Sequence, residues 1–301
     1  MRYAIVGAGA IGGYYGGLLA QAADVTFLVR GATLEALRTR GLELRSAAGV
    51  QRLPVRATDD VRDISGVDVV IVTTKARDLR PALETVRPLL DAGAMVMTVQ
   101  NGVEAPHIAT EYTAAERVIP CVARGFLELQ APATIAYHGG PRSFTFGSWS
   151  GAPSPVVQGI AADITAAGFD GIVLPNIWVD VWHKAMFVVP FGALGALTGD
   201  ALGVLRTDLR AHLTRTITEV YAVGVATGAP LTPASVEATL AFTDSMPADV
   251  TTSMQRDILD GLPSELDSQV GGIVRLAAAH NIDVPLLSLA LDALSRRPGQ
   301  H

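Results

Sequence analysis

The chain has 301 residues, of which 49% are hydrophobic and 17% charged, and its formal net charge is −6. This composition excludes a disordered chain and is typical of a compact enzyme long enough for two domains. Neither half carries a basic stripe, which argues against nucleic acid as a partner. The one cysteine, Cys121, cannot form an internal disulfide, so we expect a cytoplasmic protein in which it is a small buried strand residue.

The first predicted element is a buried strand, Tyr3 to Val6, followed by glycines at G-x-G-x-x-G spacing. Gly7 would permit a tight turn, Gly9 the approach of a pyrophosphate, and Gly12 the packing of a helix on the sheet. The helix predicted over 10–21 would direct its N-terminus at the phosphates. The alternative is a glycine-rich turn of another α/β protein. The expected cofactor-binding residues of this loop are Gly7, Gly9, Ala10, Ile11 and Gly12.

The uncharged run Ala4 to Ala23 resembles a signal peptide in length, but its six glycines in phosphate-loop positions and the strand after it indicate folded chain. No other run has the length and apolar density of a membrane span, so no membrane partner is expected.

The second predicted strand, Val25 to Val29, ends at Arg30. A carboxylate here would bind the ribose 2′-hydroxyl of NAD, whereas an arginine suits the 2′-phosphate of NADP. The sequence therefore predicts NADPH as cofactor, the alternative being a solvated arginine at a strand end.

Further along, the pattern predicts a helix over 33–40 with Thr33 as N-cap, a hairpin over 42–55, and buried strands over 67–73 and 94–99. Lys75 and Asn101 follow the two buried strands. Because ligands bind outside the carboxyl ends of parallel strands, we expect both residues to line the site with the glycine loop and Arg30.

Strands predicted between 118 and 147, a helix over 155–167 and a short strand over 172–174 would complete the first domain. Beyond Pro175 only helices are predicted, at 177–196, 206–227, 233–244, 252–260, 264–280 and 286–296. The predicted fold class is therefore α/β, with a Rossmann-type doubly wound sheet in residues 1–175 followed by an all-α domain in residues 176–301.

Lys184 is one of only two lysines among 23 basic residues, and it lies in an apolar helical segment. Partial desolvation would lower the pKa of its ammonium group and make it a better acid. The alternative is a surface lysine whose stem covers apolar neighbours.

Thr252 and Gln255 have the spacing of a capping box, which would place Ser253 at the first helical position, beside free amides that can bind a carboxylate. A simple helix start is the alternative. Glu265 is predicted in the first turn of the next helix, where acidic residues are common.

Together these motifs resemble the ketopantoate reductase (2-dehydropantoate 2-reductase) family in order and spacing over nearly the whole chain. They are G-A-G-A-I-G, Arg30, T-T-K-A at 73–76, Q-N-G at 100–102, W-x-K at 182–184, S-M-x-x-D-I at 253–258 and S-E-L-D at 264–267.

The resemblance implies a Rossmann domain, a helical domain, and a cleft for NADPH and a 2-oxo acid, with a role in pantothenate biosynthesis. It implies that Lys184 donates the proton and that Glu265 interacts with this lysine and the nicotinamide ribose. It also implies that Asn101 and Lys75 line the cleft and that Ser253 holds the substrate. No metal ion is expected.

One departure concerns the substrate. Family members commonly carry asparagines four and eight residues after the lysine, where this chain has Val188 and Gly192. On one helix face with Lys184, these residues would make a roomier, less polar substrate pocket. We therefore expect weak activity on ketopantoate and better activity on a bulkier or less polar carbonyl compound, unless Thr198 or Gln255 supplies the missing contacts.

Two other functions are compatible with the sequence. One is a hydroxy-acid or glycerol-phosphate dehydrogenase, although the second half has only eight basic residues for a phosphate. The other is a noncatalytic NADP-binding regulator. The sequence also leaves open the direction of the reaction and whether the chain is a homodimer.

Overall fold

The structure is a computed structural model that describes residues 1–300. The chain divides into two compact units. The first comprises Met1–Gln100 and Ala105–Ile177, and the second comprises Asn101–Glu104 and the chain from Trp178 onward. Residues 101–104 therefore belong to the second unit, whereas the chain before and after them belongs to the first unit.

The first unit combines strands and helices. Its strands are β1 (Arg2–Val6), β2 (Asp24–Leu28), β3 (Leu42–Ser46), β4 (Gly49–Leu53), β5 (Arg56–Thr58), β6 (Val69–Val72), β7 (Met95–Thr98), β8 (Val118–Arg124), β9 (Leu127–Ala131), β10 (Thr134–Tyr137), β11 (Ser143–Phe146) and β12 (Asp170–Val173). Its helices are α1 (Ala10–Leu19), α2 (Gly31–Arg40), α3 (Leu79–Asp91), α4 (Ala105–Ala109) and α5 (Pro155–Ala166).

The main sheet has eight strands in the order β12-β11-β8-β7-β6-β1-β2-β5. All neighbouring pairs are parallel except β11 with β8. Both faces of the sheet are covered, as its apolar strands predict. In β1, Tyr3 and Ile5 pack into the core on one face, whereas Ala4 and Val6 pack into the core on the other.

A second sheet of four strands, in the order β4-β3-β10-β9, was not predicted from the sequence. The predicted hairpin is confirmed as β3 and β4, but β9 and β10 pair with it instead of extending the main sheet. A Cβ atom on Gly13 would lie 2.6 Å from Ile135 in β10, and one on Gly17 would lie 2.2 Å from Leu42 in β3. These two glycines therefore serve helix packing, so the expectation that all six glycines of the run serve the phosphate loop is wrong.

The second unit is helical among the residues described. Its α-helices are α6 (Ile177–Thr198, which begins at the last residue of the first unit), α7 (Leu202–Arg206), α8 (Arg210–Ala226), α9 (Pro233–Ser245), α10 (Ser253–Leu259), α11 (Gly272–Ala279) and α12 (Pro285–Leu294). The predicted helix over 264–280 starts with a π-helical turn, Asp267–Gly271. The buried Glu219 of α8 accepts hydrogen bonds from the amides of Leu286 and Leu287 and so caps α12.

Helix α6 has the length and hydropathy of a membrane-spanning segment, contrary to the expectation that no second run would. In the fold, however, 61% of its most apolar window is buried. Its apolar surface is therefore largely used for packing, as in the core helix of a globular domain.

Candidate active site

The dinucleotide loop follows β1 and leads into α1. Gly7 has a φ of +92°, which a side chain would strain, and Gly9 caps α1. A Cβ atom on Gly9 would meet no other atom within 4 Å, so open space borders the loop at this point. The ten-residue helix α1 starts beside that space with its free amides. The residues present therefore fit a bound pyrophosphate.

The sheet order places this loop where strand succession changes direction. From β1 the chain proceeds to β2 on one side, whereas β6 lies on the other side. Arg30 follows β2 and Lys75 follows β6, so both lie at the same edge of the sheet as the loop. Such a switch point is the usual place for a ligand in open α/β sheets.

Arg30 is exposed and caps α2, which begins at Gly31 and not after Thr33 as predicted. Arg30 forms no ion pair within residues 1–300. Lys75 is also exposed and precedes a 3-10 turn, Ala76–Asp78. Both cationic side chains are thus accessible to an anionic ligand.

Gln100 secures the chain after β6. Its Nε2 donates to the carbonyls of Val72 at 2.8 Å and Thr74 at 3.0 Å. In the described chain, the buried Oε1 of Gln100 and the hydroxyls of Thr74 and Thr98 have no hydrogen-bond partner. The edge of the sheet around the T-T-K segment therefore retains unused polar groups.

Glu265 forms a buried polar cluster in the second unit. Its Oε2 accepts hydrogen bonds from Asn101 Nδ2 at 3.0 Å and Gln269 Nε2 at 3.1 Å, and the residue is 9% exposed. Glu265 lies just before the first helical residue, not within the first turn as predicted. Two amide donors therefore hold the same oxygen of this carboxylate in place.

Gln269 was missed from the sequence. In a regular helix, a side-chain amide four residues after an acidic residue lies beside it and can donate to it. Here the segment contains a π-helical turn at 267–271, which the sequence does not predict.

The segment 101–104 is fastened to the same region at two further points. A Cβ atom on Gly102 would lie 2.6 Å from the carbonyl oxygen of Ser268. The guanidinium of Arg275 donates to Glu104 at 2.7 and 3.1 Å and to Asp267 at 2.7 Å. These carboxylates, Glu104 foremost, raise the pKa of Arg275. Together the contacts hold Asn101 beside Glu265.

Lys184 is half-buried on α6. Phe187 and Val188, one turn further on, are half-buried as well, and Phe187 packs edge-on against Phe242 of α9 with ring centroids 4.9 Å apart. The turn of α6 that follows the lysine is therefore apolar, whereas Asp180 lies one turn before it.

Gly192 does not enlarge a pocket, which corrects that part of the expectation. It is buried, and a Cβ atom there would lie 2.6 Å from Met254 Cε and 3.1 Å from Thr252 Oγ1. The space of the missing side chain is filled by α10, which packs closely on α6.

The two residues considered as substitutes for the missing asparagines are used elsewhere. Gln255 is fully buried and donates to the carbonyl of Asp200 at 2.8 Å. The Thr198 hydroxyl donates to the carbonyl of Leu194 at 3.1 Å.

The capping box is confirmed: the Thr252 hydroxyl accepts from the Gln255 amide, and the Gln255 side chain accepts from the Thr252 amide. Ser253 is exposed at the first position of α10. Residues 1–300 contain no group of three or more His, Cys, Asp or Glu side chains arranged to hold a metal ion.

Comparison with known proteins gives a consistent result along the chain. Residues 3–151 match the family model of ketopantoate reductase PanE/ApbA, and residues 176–297 match that of its C-terminal domain. A 2-dehydropantoate 2-reductase of Mesorhizobium japonicum is 32% identical over 99% of this chain and 97% of its own.

Solved structures agree. The 2-dehydropantoate 2-reductase of Geobacter metallireducens is 28% identical, with a TM-score of 0.88 over 98% of this chain and 99% of that one. A D-mandelate dehydrogenase with NADH and anilino(oxo)acetate shares the fold at 19% identity, with a TM-score of 0.86 over 98% and 97% of the two chains. The chain therefore belongs to the ketopantoate reductase family of oxidoreductases.

Proposed function

We propose that this protein is an NADPH-dependent reductase of a 2-oxo acid, and that Lys184 is its general acid. The observation that carries the proposal is the hydrogen bond between Asn101 and Glu265, which lie 164 residues apart in the chain. The two residues belong to separate family motifs, and burial of a carboxylate costs free energy that its hydrogen bonds offset only in part, which favours a functional role for Glu265. The 32% identity to a 2-dehydropantoate 2-reductase supports the same reaction class.

The cofactor would be held by the first unit. The loop Gly7–Gly12 and the start of α1 would bind the pyrophosphate, and the accessible Arg30 would bind the 2′-phosphate. When bound, the reduced nicotinamide supplies a hydride to the carbonyl carbon of the substrate.

The proton would come from the second unit. Lys184 gives a proton from Nζ to the carbonyl oxygen, so that a 2-hydroxy acid results. Glu265, held by Asn101 and Gln269, would interact with Lys184 and accept a hydrogen bond from a ribose hydroxyl of the cofactor. Asn101 has a second N–H, beyond the one given to Glu265, with which it can stabilise the developing negative charge on oxygen.

The substrate would carry an apolar side chain. Val188 stands where the family commonly has an asparagine, and Phe187 lies beside it on α6. Neither side chain can pair with a substrate hydroxyl, and a polar group left unpaired on burial costs about 1–3 kcal/mol. We therefore infer a 2-oxo acid without the hydroxyl of ketopantoate.

The test is cofactor oxidation by the purified protein with a panel of carbonyl compounds. The panel contains ketopantoate, 2-oxoisovalerate, phenylpyruvate and dihydroxyacetone phosphate, each with NADPH and with NADH. The proposal expects turnover of the apolar 2-oxo acids with NADPH. Turnover of dihydroxyacetone phosphate alone would indicate a glycerol-phosphate dehydrogenase, and tight NADPH binding without any turnover would indicate a regulator.

A further inference from the structure

Thr73, the first residue after β6, reaches into the dinucleotide loop. Its hydroxyl lies 2.9 Å from the carbonyl oxygen of Val6 and 3.0 Å from that of Gly7. The Val6 carbonyl also accepts the backbone amide of Thr73 at 3.0 Å. The Val6 carbonyl thus has the Thr73 amide as a donor in any case. The Thr73 hydroxyl is therefore needed by the Gly7 carbonyl.

The orientation of this carbonyl fixes the next amide. In a planar trans peptide the C=O and N–H bonds point in opposite directions. With the Gly7 carbonyl turned toward Thr73, the Ala8 N–H points to the opposite side of the loop. Among residues 1–300 the Ala8 amide has no hydrogen-bond acceptor. The Gly7 amide donates to the Leu28 carbonyl at 3.1 Å, so both ends of the glycine are held.

The last glycine of the motif protects the same contact. A Cβ atom on Gly12 would lie 2.1 Å from the Thr73 hydroxyl oxygen and 2.5 Å from the Gly7 carbonyl oxygen. Any side chain at this position would therefore separate the two atoms. Gly12 therefore allows α1 to pack closely beside the hydrogen bond between the Thr73 hydroxyl and the Gly7 carbonyl.

We propose that Thr73 is a positioning residue of the dinucleotide loop, whose hydroxyl turns the Ala8 amide toward the pyrophosphate of the bound cofactor. The inference rests on the proposed use of a dinucleotide, but not on the choice between NADP and NAD. Thr73 acts through the loop backbone and is not a catalytic residue.

The experiment measures dissociation constants by calorimetry for NADPH and for adenosine 2′-monophosphate, which lacks the pyrophosphate. Thr73→Val removes the hydroxyl and keeps the size of the side chain. We expect the NADPH dissociation constant to rise about 5- to 30-fold, which corresponds to about 1–2 kcal/mol. Binding of adenosine 2′-monophosphate should change less than about twofold. Thr73→Ser keeps the hydroxyl and should restore NADPH binding.

The matched control is Thr165→Val in α5, where the threonine hydroxyl likewise donates to a backbone carbonyl, that of Ala161 at 2.8 Å, but not in the dinucleotide loop. It should leave both constants unchanged. If Thr73→Val does not fold, Thr73→Ala takes its place.

Unchanged NADPH binding in the folded Thr73 variant, or an equal loss for both ligands, would overturn the inference. If the native protein prefers NADH, the NADPH assignment fails, and the same comparison run with NADH still decides the role of Thr73.

Discussion

Lys184 is the residue on which the proposed proton transfer depends. Its replacement by alanine should lower kcat by about 10²–10⁴, the usual contribution of a general acid. Lys184→Arg should not restore the rate, because arginine keeps the charge but does not give up a proton at neutral pH. Steady-state kinetics with the best 2-oxo acid provide the measurement. Near-normal turnover of the arginine variant would show that Lys184 contributes only a positive charge and does not donate the proton.

Arg30 should determine the choice of cofactor. A hydrogen bond to a charged group contributes about 1.5–3 kcal/mol, so kcat/KM for NADPH should exceed that for NADH about 10- to 100-fold. Arg30→Ala should remove most of this preference and leave the NADH reaction intact. Equal efficiency of the native protein with both cofactors would refute the assignment.

Val188 should limit the use of ketopantoate. With no amide at this position, the hydroxyl of ketopantoate lacks a partner, and kcat/KM should be about 10- to 1000-fold below that of an apolar 2-oxo acid. Val188→Asn should narrow this ratio. Val188→Leu is the matched control, since it changes size without adding a donor. Efficient ketopantoate reduction by the native protein, with no gain from asparagine, would contradict the substrate proposal.

The packing of helix α6 against α10 depends on Gly192 and Gly195, which should differ in how well they tolerate a larger side chain. A Cβ atom on Gly195 would lie 2.6–2.9 Å from the amide of Gln255, which is fully buried and hydrogen-bonded at both ends. Gly195→Ala should therefore destabilise the protein by about 1–2 kcal/mol, because overpacking outweighs the gain in helix propensity.

Gly192→Ala is the comparison, since the closest atom there is the mobile methyl end of Met254. Its effect should lie within about 1 kcal/mol of zero. Urea denaturation of the two variants gives the measurement. Equal stability of both variants would show that α6 and α10 can move apart to accommodate a methyl group at Gly195.

Elements were predictable where a local pattern determined them. The buried strands β1, β6 and β7, the hairpin β3–β4 and the capping box of α10 follow from apolar runs, turn residues and spacing. The pairing of β10 with β3 did not follow, because it joins segments about ninety residues apart and their sequences do not encode the partner.

The candidate site was predictable to a similar degree. Asn101 and Glu265 were found through motifs, and the structure joins them. Thr73 belongs to a quoted motif, but neither its role nor that of Gln269 was predicted, because their contacts arise from a loop and a π-helical turn that no sequence periodicity indicates. Gly192 was misjudged because a small side chain indicates either free space or close packing, and only the position of α10 distinguishes the two.

For the folded chain as a whole, two buried tyrosines predict how stability depends on alkaline pH. Tyr3 donates to Asp163 at 2.7 Å and Tyr15 to the carbonyl of Arg124, and burial raises the pKa of both above the usual range. The unfolded chain loses these protons near pH 10, whereas the folded chain keeps them. Stability should therefore be fully present below pH 10 and fall above it, by up to about 1.4 kcal/mol per pH unit for each tyrosine.

Urea denaturation midpoints measured between about pH 9 and pH 11.5 test this dependence, which spans the ordinary tyrosine pKa. Tyr15→Phe is the informative variant, because phenylalanine cannot ionise. It should be less stable below pH 10 but show a shallower decline above it. A native midpoint that stays constant across the range would contradict the burial of neutral tyrosines.

Hydride transfer from NADPH to the carbonyl carbon of an apolar 2-oxo acid is the reaction that we propose for this chain. The most direct measurement is mass spectrometry of the product formed with NADPH deuterated at C4 of the nicotinamide, using each of the two C4 epimers. The proposed reaction should give a 2-hydroxy acid that is one mass unit heavier, with the deuterium on C2, from one epimer only. A product without deuterium from both epimers, or no 2-hydroxy acid at all, would contradict it.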